Sequence, residues 1–236
     1  YFTRDTPLVG EQYSHYKTMA EEFVTYINNV PGITASQVIS QYEKLSQISS
    51  GFVIDDTGDA HALLPFDRVP KIADALWLLE NEIDCKVIMV AHHAYVVEQL
   101  MVATKKHSPA LIGGGATMKK LNLDVETEKH RFNNDPDCRV MVAQGQAVKY
   151  GHTLVGTKFD PCEVTMFIEN NYSLDTREQT EQRNISQQQD RPMVVIDFVS
   201  SSIEARIIKA LQRKESVARA ILSYATGSDE STTFTD

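Results

Sequence analysis

Gln179 and Arg183 stand four residues apart in the run Gln-Thr-Glu-Gln-Arg (179–183), a spacing that places both on one face of a helix. An arginine presented this way suits a phosphate, because its planar fork binds phosphate oxygens bidentately. In phosphoryl transfer such a group stabilises the charge of the transition state. Taken alone, the pair also describes a surface helix with a salt-bridged Arg. The loop 144–156 offers Gln146, Lys149, Tyr150, Gly151, His152 and Thr153. Glycine allows close approach of backbone to a ligand, and Lys, His and Thr can contact phosphates. Alone, this is also a connection between two strands. His92 and His93 directly follow an apolar run. Adjacent histidines point to different sides and make poor joint metal ligands, so a packing or backbone contact at the strand end is the simpler role. Gly113-Gly114-Gly115 lacks the trailing Lys-Ser/Thr of a phosphate loop and reads as a tight turn. Asp55-Asp56-Thr57-Gly58-Asp59 lacks the glutamate of a calcium loop and reads as a solvated turn. No metal site is expected. No Ser/His/Asp set or nucleophile elbow appears.

The elements that must hold these residues are visible in the apolar periodicity. Helices are predicted over 11–29 and 35–48, followed by an irregular stretch over 49–64. From residue 67 the pattern alternates: helix 68–82, strand 86–91, helix 94–105, strand 109–112, helix 118–132 and strand 139–143. Strand 163–168, helix 175–186, strand 192–199 and helix 202–224 complete it, with Ser201 and Glu204 as a capping box. Continuous apolar strands alternating with helices predict an α/β fold, a parallel sheet with helices on both faces, preceded by an N-terminal helical segment. The order strand, Gly-bearing loop, strand, arginine-bearing helix puts loop and helix on one sheet edge, where open α/β sheets bind ligands.

The chain has 236 residues, 42% hydrophobic and 23% charged, ordinary values for a globular protein able to bury a core. No run of 18 apolar residues suggests a membrane span, and no signal peptide is visible. The chain opens on Tyr1 rather than Met, and a piece of a longer protein is expected. A net charge of −9 argues against a broad nucleic-acid footprint but allows a narrow basic strip. Lys105-Lys106-His107 and Lys119-Lys120 are small basic clusters whose ordinary reading is a solvated face. Cys85, Cys138 and Cys162 form no metal signature, and a reduced, intracellular chain is expected.

In their order, these segments resemble the second RecA-like domain of superfamily 2 helicases, specifically the Swi/Snf-like DNA translocases. Glu11-Gln12-Tyr13-Ser14-His15-Tyr16 is similar to the segment leaving the first motor domain, and Lys71-Ile72 through Leu79 to the Lys-x-x-x-Leu helix. Lys86 through His93 resembles the fourth motif, most of all in the annealing-helicase branch. Ile112-Gly113-Gly114 stands where a short Asp-Gly strand end is usual. Phe132-Asn133-Asn134-Asp135-Pro136 through Val140 is similar to the approach to motif five. Gln146-Ala147 and Gly151-His152-Thr153-Leu154 resemble motif five, and Gln179-x-x-x-Arg183 motif six. Arg191-Pro192 through Val199, with Ser202-Ile203-Glu204, is similar to the strand and helix start that come after motif six in the family.

The resemblance implies a helical extension over 1–66, a RecA-like helicase C-terminal domain over 67–226 and a flexible tail over 227–236. It implies ATP shared with a first, N-terminal RecA-like domain of the same protein, which would also hold most of the Mg2+. Gln179 and Arg183 would act catalytically at the nucleotide, with Gly151 beside them. His92, His93, Lys149, His152 and Thr153 would face double-stranded or branched DNA. The location implied is the cytoplasm of a prokaryote or infected cell, or a eukaryotic nucleus. The sequence departs from the family where motif six normally carries a second Arg, here Ser186, and where motif five has small residues, here Val148 and Lys149. Arg177 and Arg191 are the nearby arginines that could substitute. A degenerate, non-hydrolysing module for protein or nucleic-acid binding is the alternative, and an unrelated doubly wound enzyme acting on a phosphorylated substrate is a third.

Overall fold

The computed structural model describes residues 1–29, 34–148, 153–170, 173–183, 185 and 192–226. In chain order the elements begin with β1 (Phe2–Asp5), α1 (Gly10–Asn29), α2 (Ala35–Ser49), β2 (Phe52–Ile54), β3 (Ala60–Ala62) and α3 (Pro70–Asn81). There follow β4 (Lys86–Ala91), α4 (Ala94–Ala103), β5 (Ala110–Ile112), α5 (Gly115–Lys120), α6 (Val125–Asn134), β6 (Val140–Gln144) and α7 (Gly145–Val148). The chain continues through β7 (Cys162–Phe167), α8 (Leu174–Glu181), β8 (Val194–Val199), α9 (Ser202–Gln212) and α10 (Val217–Thr226). Two compact units result: Tyr1–Thr6 with Lys71–Phe198, and Pro7–Pro70 with the chain from Val199 onward.

The first unit is a six-stranded sheet of order β1-β8-β7-β4-β6-β5. The pairs β5–β6, β6–β4, β4–β7 and β7–β8 are all parallel. Side chains alternate between sheet faces, yet every residue of β4 is buried, so both faces are covered. Helices supply that cover, as the alternation of strands and helices predicts for an α/β fold. Two buried charges brace the sheet. Lys86 at the start of β4 is fully buried, with Nζ donating to the carbonyls of Asp135 and Cys138 at 2.7 Å each and pairing with Asp160 at 3.0 Å; a buried cation needs that many partners. Glu128 of α6 accepts the Leu111 N–H at 3.0 Å and so covers part of edge strand β5.

The second unit packs α1, α2, α9 and α10 together with the β2–β3 hairpin. Gln12 is buried and its amide donates to the carbonyls of Ile48 and Ser49, closing the C-terminal end of α2. Ser201 caps α9 as expected, accepting the Glu204 N–H at 3.3 Å. The Glu204 carboxylate returns one residue further back than a capping box requires, to the N–H of Ser200 at 2.7 Å, and also accepts from Ser49 Oγ at 2.5 Å.

Five predicted segments differ, the first being the loop read over 144–156, which opens with α7 (Gly145–Val148). The stretch read as irregular contains the antiparallel β2–β3 hairpin, Phe52 opposite Ala62, around the expected turn. The helix predicted over 118–132 is two helices: Asn122 adopts φ 54°, and Asp124 caps α6 by accepting the Thr127 N–H at 2.9 Å. The helix predicted over 202–224 breaks at Lys214, φ 59°, between α9 and α10. The helix predicted over 175–186 ends at Glu181 with Gln182 as its C-cap.

Candidate functional site

The parallel registers set Ala91 beside Gln144, Ile112 beside Ala143 and Val90 beside Phe167. The residues leaving these strands therefore meet at one edge, and their backbone groups need partners. Glu169 serves one side: Oε2 accepts the N–H groups of His92 and His93 at 2.9 Å each, and Oε1 meets His93 Nδ1 at 2.8 Å. Gln144 serves the other: Oε1 accepts the Gly114 N–H at 2.7 Å, and Nε2 donates to the His92 carbonyl at 3.2 Å. The His93 side chain is 9% exposed and that of Glu169 1%. Its imidazole is held by the carboxylate, which is the packing role available to a strand-end histidine. The His92 ring lies 5.0 Å from it in an edge-on arrangement. Gly113, Gly114 and Gly115 form the entry to α5, and none takes a positive φ.

The crevice outside these strand ends is filled. Arg177 of α8 forms a two-bond pair with Asp197 of β8, Nη1–Oδ1 at 2.5 Å and Nη2–Oδ2 at 2.9 Å. It also donates to Glu181 and Asn170, and its guanidinium carbon lies 3.6 Å from the centre of the Phe167 ring. Burial works against this cation, but the hydrogen bonds and charges of Asp197 and Glu181 outweigh it and raise its pKa. The space left between Val90, Gly145, Glu169, Thr176 and Arg177 is about 10 Å³, room for one water. Every guanidinium nitrogen of Arg177 is engaged inside the fold, which leaves none to bind a phosphate.

Gln179 and Arg183 stand elsewhere. Gln179 is exposed on α8, and Arg183 is half-buried one residue beyond the helix C-cap, its N–H donating to Thr180 O at 3.1 Å. Burial lowers the Arg183 pKa from its usual value, though guanidinium remains a cation. The Arg183 carbonyl accepts the Leu154 N–H at 2.8 Å, and the Val155 carbonyl accepts from Cys162, the first residue of β7, at 2.9 Å. Loop and arginine thus meet near the edge where strands begin. The common edge expected from the sequence holds only for the entrances of loop and helix. The physical reason is the parallel crossover: a chain leaving β6 must travel back to the start of β7.

The backbone over 153–156 is tied down by a side chain to which the sequence pattern assigns no role. Asn133 Nδ2 donates to the Thr153 carbonyl at 2.8 Å, and Oδ1 accepts the N–H groups of Val155 and Gly156 at 3.1 Å each. Thr153 is exposed and Leu154 is buried. The other predicted site residues of this loop, Lys149, Gly151 and His152, lie outside the described residues, as do Ser186 and Arg191. Sequence reasoning also misses Gln144 and Glu169. Both are polar residues at or just beyond the ends of apolar strands, which is the signal that could mark them.

No protein-family model and no curated protein matches this sequence. Solved structures do match. The C-terminal part of the Fun30 ATPase domain superposes with a TM-score of 0.66 at 12% identity, covering 95% of each chain. The Sulfolobus solfataricus SWI2/SNF2 ATPase core in complex with dsDNA gives 0.61 at 17% identity, over 96% of this chain and 46% of that one. The C-terminal domain of the same ATPase gives 0.59 at 17% identity, over 90% and 84%. Identities this low carry the fold. That fold is the one seen in the C-terminal part of the Fun30 and SWI2/SNF2 ATPase domains, and this chain spans less than half of the SWI2/SNF2 ATPase core.

Proposed function

We propose that this chain is the C-terminal motor lobe of an ATP-dependent DNA translocase or helicase. Arg183 would meet the nucleotide phosphates, with Gln179 on the same side of α8 and Gly151 allowing close backbone approach. Lys149, His152 and Thr153 would contact DNA phosphates, double-stranded or branched, and His92 would face DNA from the edge where the strands end. His93 would hold the strand-end backbone in place. A first RecA-like lobe of the same protein would supply the remaining nucleotide contacts, inside a cell.

The observation that carries the reading is the closed crevice. The lobe has the fold of an ATPase half, yet the space between Val90, Gly145, Glu169, Thr176 and Arg177 at its sheet edge holds about one water. With Arg177 committed inside the fold, Gln179, exposed on α8, and Arg183, half-exposed at its exit, are phosphate-type groups that reach the surface. The groups present fit a phosphate in this way. They do not fit Mg2+: Glu169 is occupied by His92 and His93, and Asp197 by Arg177. The ion is assigned to the other lobe, and Arg183 supplies only charge stabilisation here.

A non-hydrolysing binding module is the second reading, favoured by Ser186 and by the engagement of Arg177. Turnover of ATP by the full-length protein, with and without duplex DNA, separates the two. Stimulated turnover supports the motor. No turnover in the presence of an intact first lobe leaves the binding module.

A further inference from the structure

We infer that Asn133 is a positioning residue that links DNA contact to the arginine, by fixing the strap 153–156 whose Leu154 holds the Arg183 carbonyl. The inference rests on the motor-lobe reading above.

The strap lies outside the sheet's ladders, so its backbone groups must find partners elsewhere. Asn133 supplies three: one amide hydrogen for Thr153 O and both Oδ1 lone pairs for the N–H groups of Val155 and Gly156. A carboxamide is the side chain that offers a donor and a double acceptor on one planar group. The helix fixes where that group stands. Phe132 is fully buried in the core beside it, and Glu128 ties the same helix to β5. Leu154, also fully buried, anchors the strap in the same core cluster as Phe132.

Thr153 is one of the residues proposed to meet DNA, and it is exposed. A displacement there reaches Arg183 through one residue of chain and one hydrogen bond of 2.8 Å. With Asn133 in place the strap moves as one piece. Without it, Val155 and Gly156 lose their acceptor, and the displacement is absorbed before it reaches the arginine. This is a physical linkage that needs a coupling measurement to stand.

The test is ATP turnover by the full-length protein at saturating ATP, with and without saturating duplex DNA, for wild type, Asn133→Ala and Asn133→Asp. Asn134→Ala serves as control, since that side chain bonds within its own helix to His130 O. In Asn133→Ala the stimulation ratio should fall about fivefold or more, while basal turnover and the DNA concentration for half-maximal stimulation stay within about twofold. Asn133→Asp keeps the two acceptor bonds and should retain part of the ratio. If Asn133→Ala does not fold, Asn133→Asp is scored alone, and a wild-type ratio in it overturns the inference. An unchanged ratio in Asn133→Ala overturns it too, as does a parallel fall of basal and stimulated turnover, which marks a structural role only. Wild type that shows no stimulation overturns the motor reading itself, and wild type alone reveals that case.

Discussion

The N–H of Leu154 donates to the carbonyl of Arg183 at 2.8 Å, joining the strap 153–156 to the exit of α8. Sequence order separates these segments by a whole strand and helix. They meet near the edge where β7 begins, for the Val155 carbonyl accepts from Cys162, the first residue of that strand, at 2.9 Å.

Arg177 and Asp197 form a pair buried on both sides, at 5% and 0% side-chain exposure. Removing one partner strands a charge in the core. Arg177→Ala should cost about 3–5 kcal/mol. The double replacement Arg177→Met with Asp197→Leu should cost less than either single change. Urea midpoints of the three variants check this, and a double change as damaging as the sum would contradict it.

Gly156 adopts φ +70°, and a Cβ built there would lie 2.3 Å from the Asp160 carbonyl oxygen. The bridge from Gly156 to Pro161 closes this turn. Gly156→Ala should destabilise by about 1–3 kcal/mol. Faster amide exchange confined to 153–162 would locate the damage, and exchange unchanged there would show that the turn adapts.

Burial pushes the Cys138 thiol from 9.0 up to about 11, and burial also raises Tyr16. The folded chain therefore holds these protons more tightly than the unfolded chain. The thiol's contribution to stability is complete below the unfolded value and is lost as pH rises from 9.0 through about 11. Denaturant midpoints should fall over that window, with a shallower fall in Cys138→Ala. A thiol reagent at neutral pH should reach Cys85 before Cys138 or Cys162, because both of the latter are buried.

If Lys149 meets a DNA phosphate, Lys149→Ala should weaken binding equally across DNA sequences. It should also reduce the slope of log affinity against log salt by about 1. A sequence-dependent loss with an unchanged slope would place Lys149 elsewhere.

The strands of the sheet are readable in the sequence because β4, β6 and β8 are apolar at all but one position, a pattern typical of parallel strands covered on both faces. The β2–β3 hairpin is not, because three-residue strands are too short to show alternation and β3 is exposed throughout. The break at Lys214 has little signal, since lysine seldom takes a positive φ. The one at Asn122 is more readable, with Asn ahead of a capping Asp. Gln179 and Arg183 announce themselves by spacing. Asn133, Gln144 and Glu169 do not, because their partners are backbone groups brought near by the fold, and no local pattern encodes such a bond.

Arg183 is proposed as the arginine through which this lobe acts on the nucleotide. Single-turnover ATP hydrolysis by the full-length protein bound to duplex DNA decides it, comparing wild type, Arg183→Lys and Arg183→Ala. Arg183→Ala should lose about 10³-fold or more in rate. Arg183→Lys should be little better, since lysine lacks the bidentate fork, and DNA affinity should be unchanged. Turnover by Arg183→Ala at the wild-type rate would contradict the proposal and move the active arginine elsewhere in the protein.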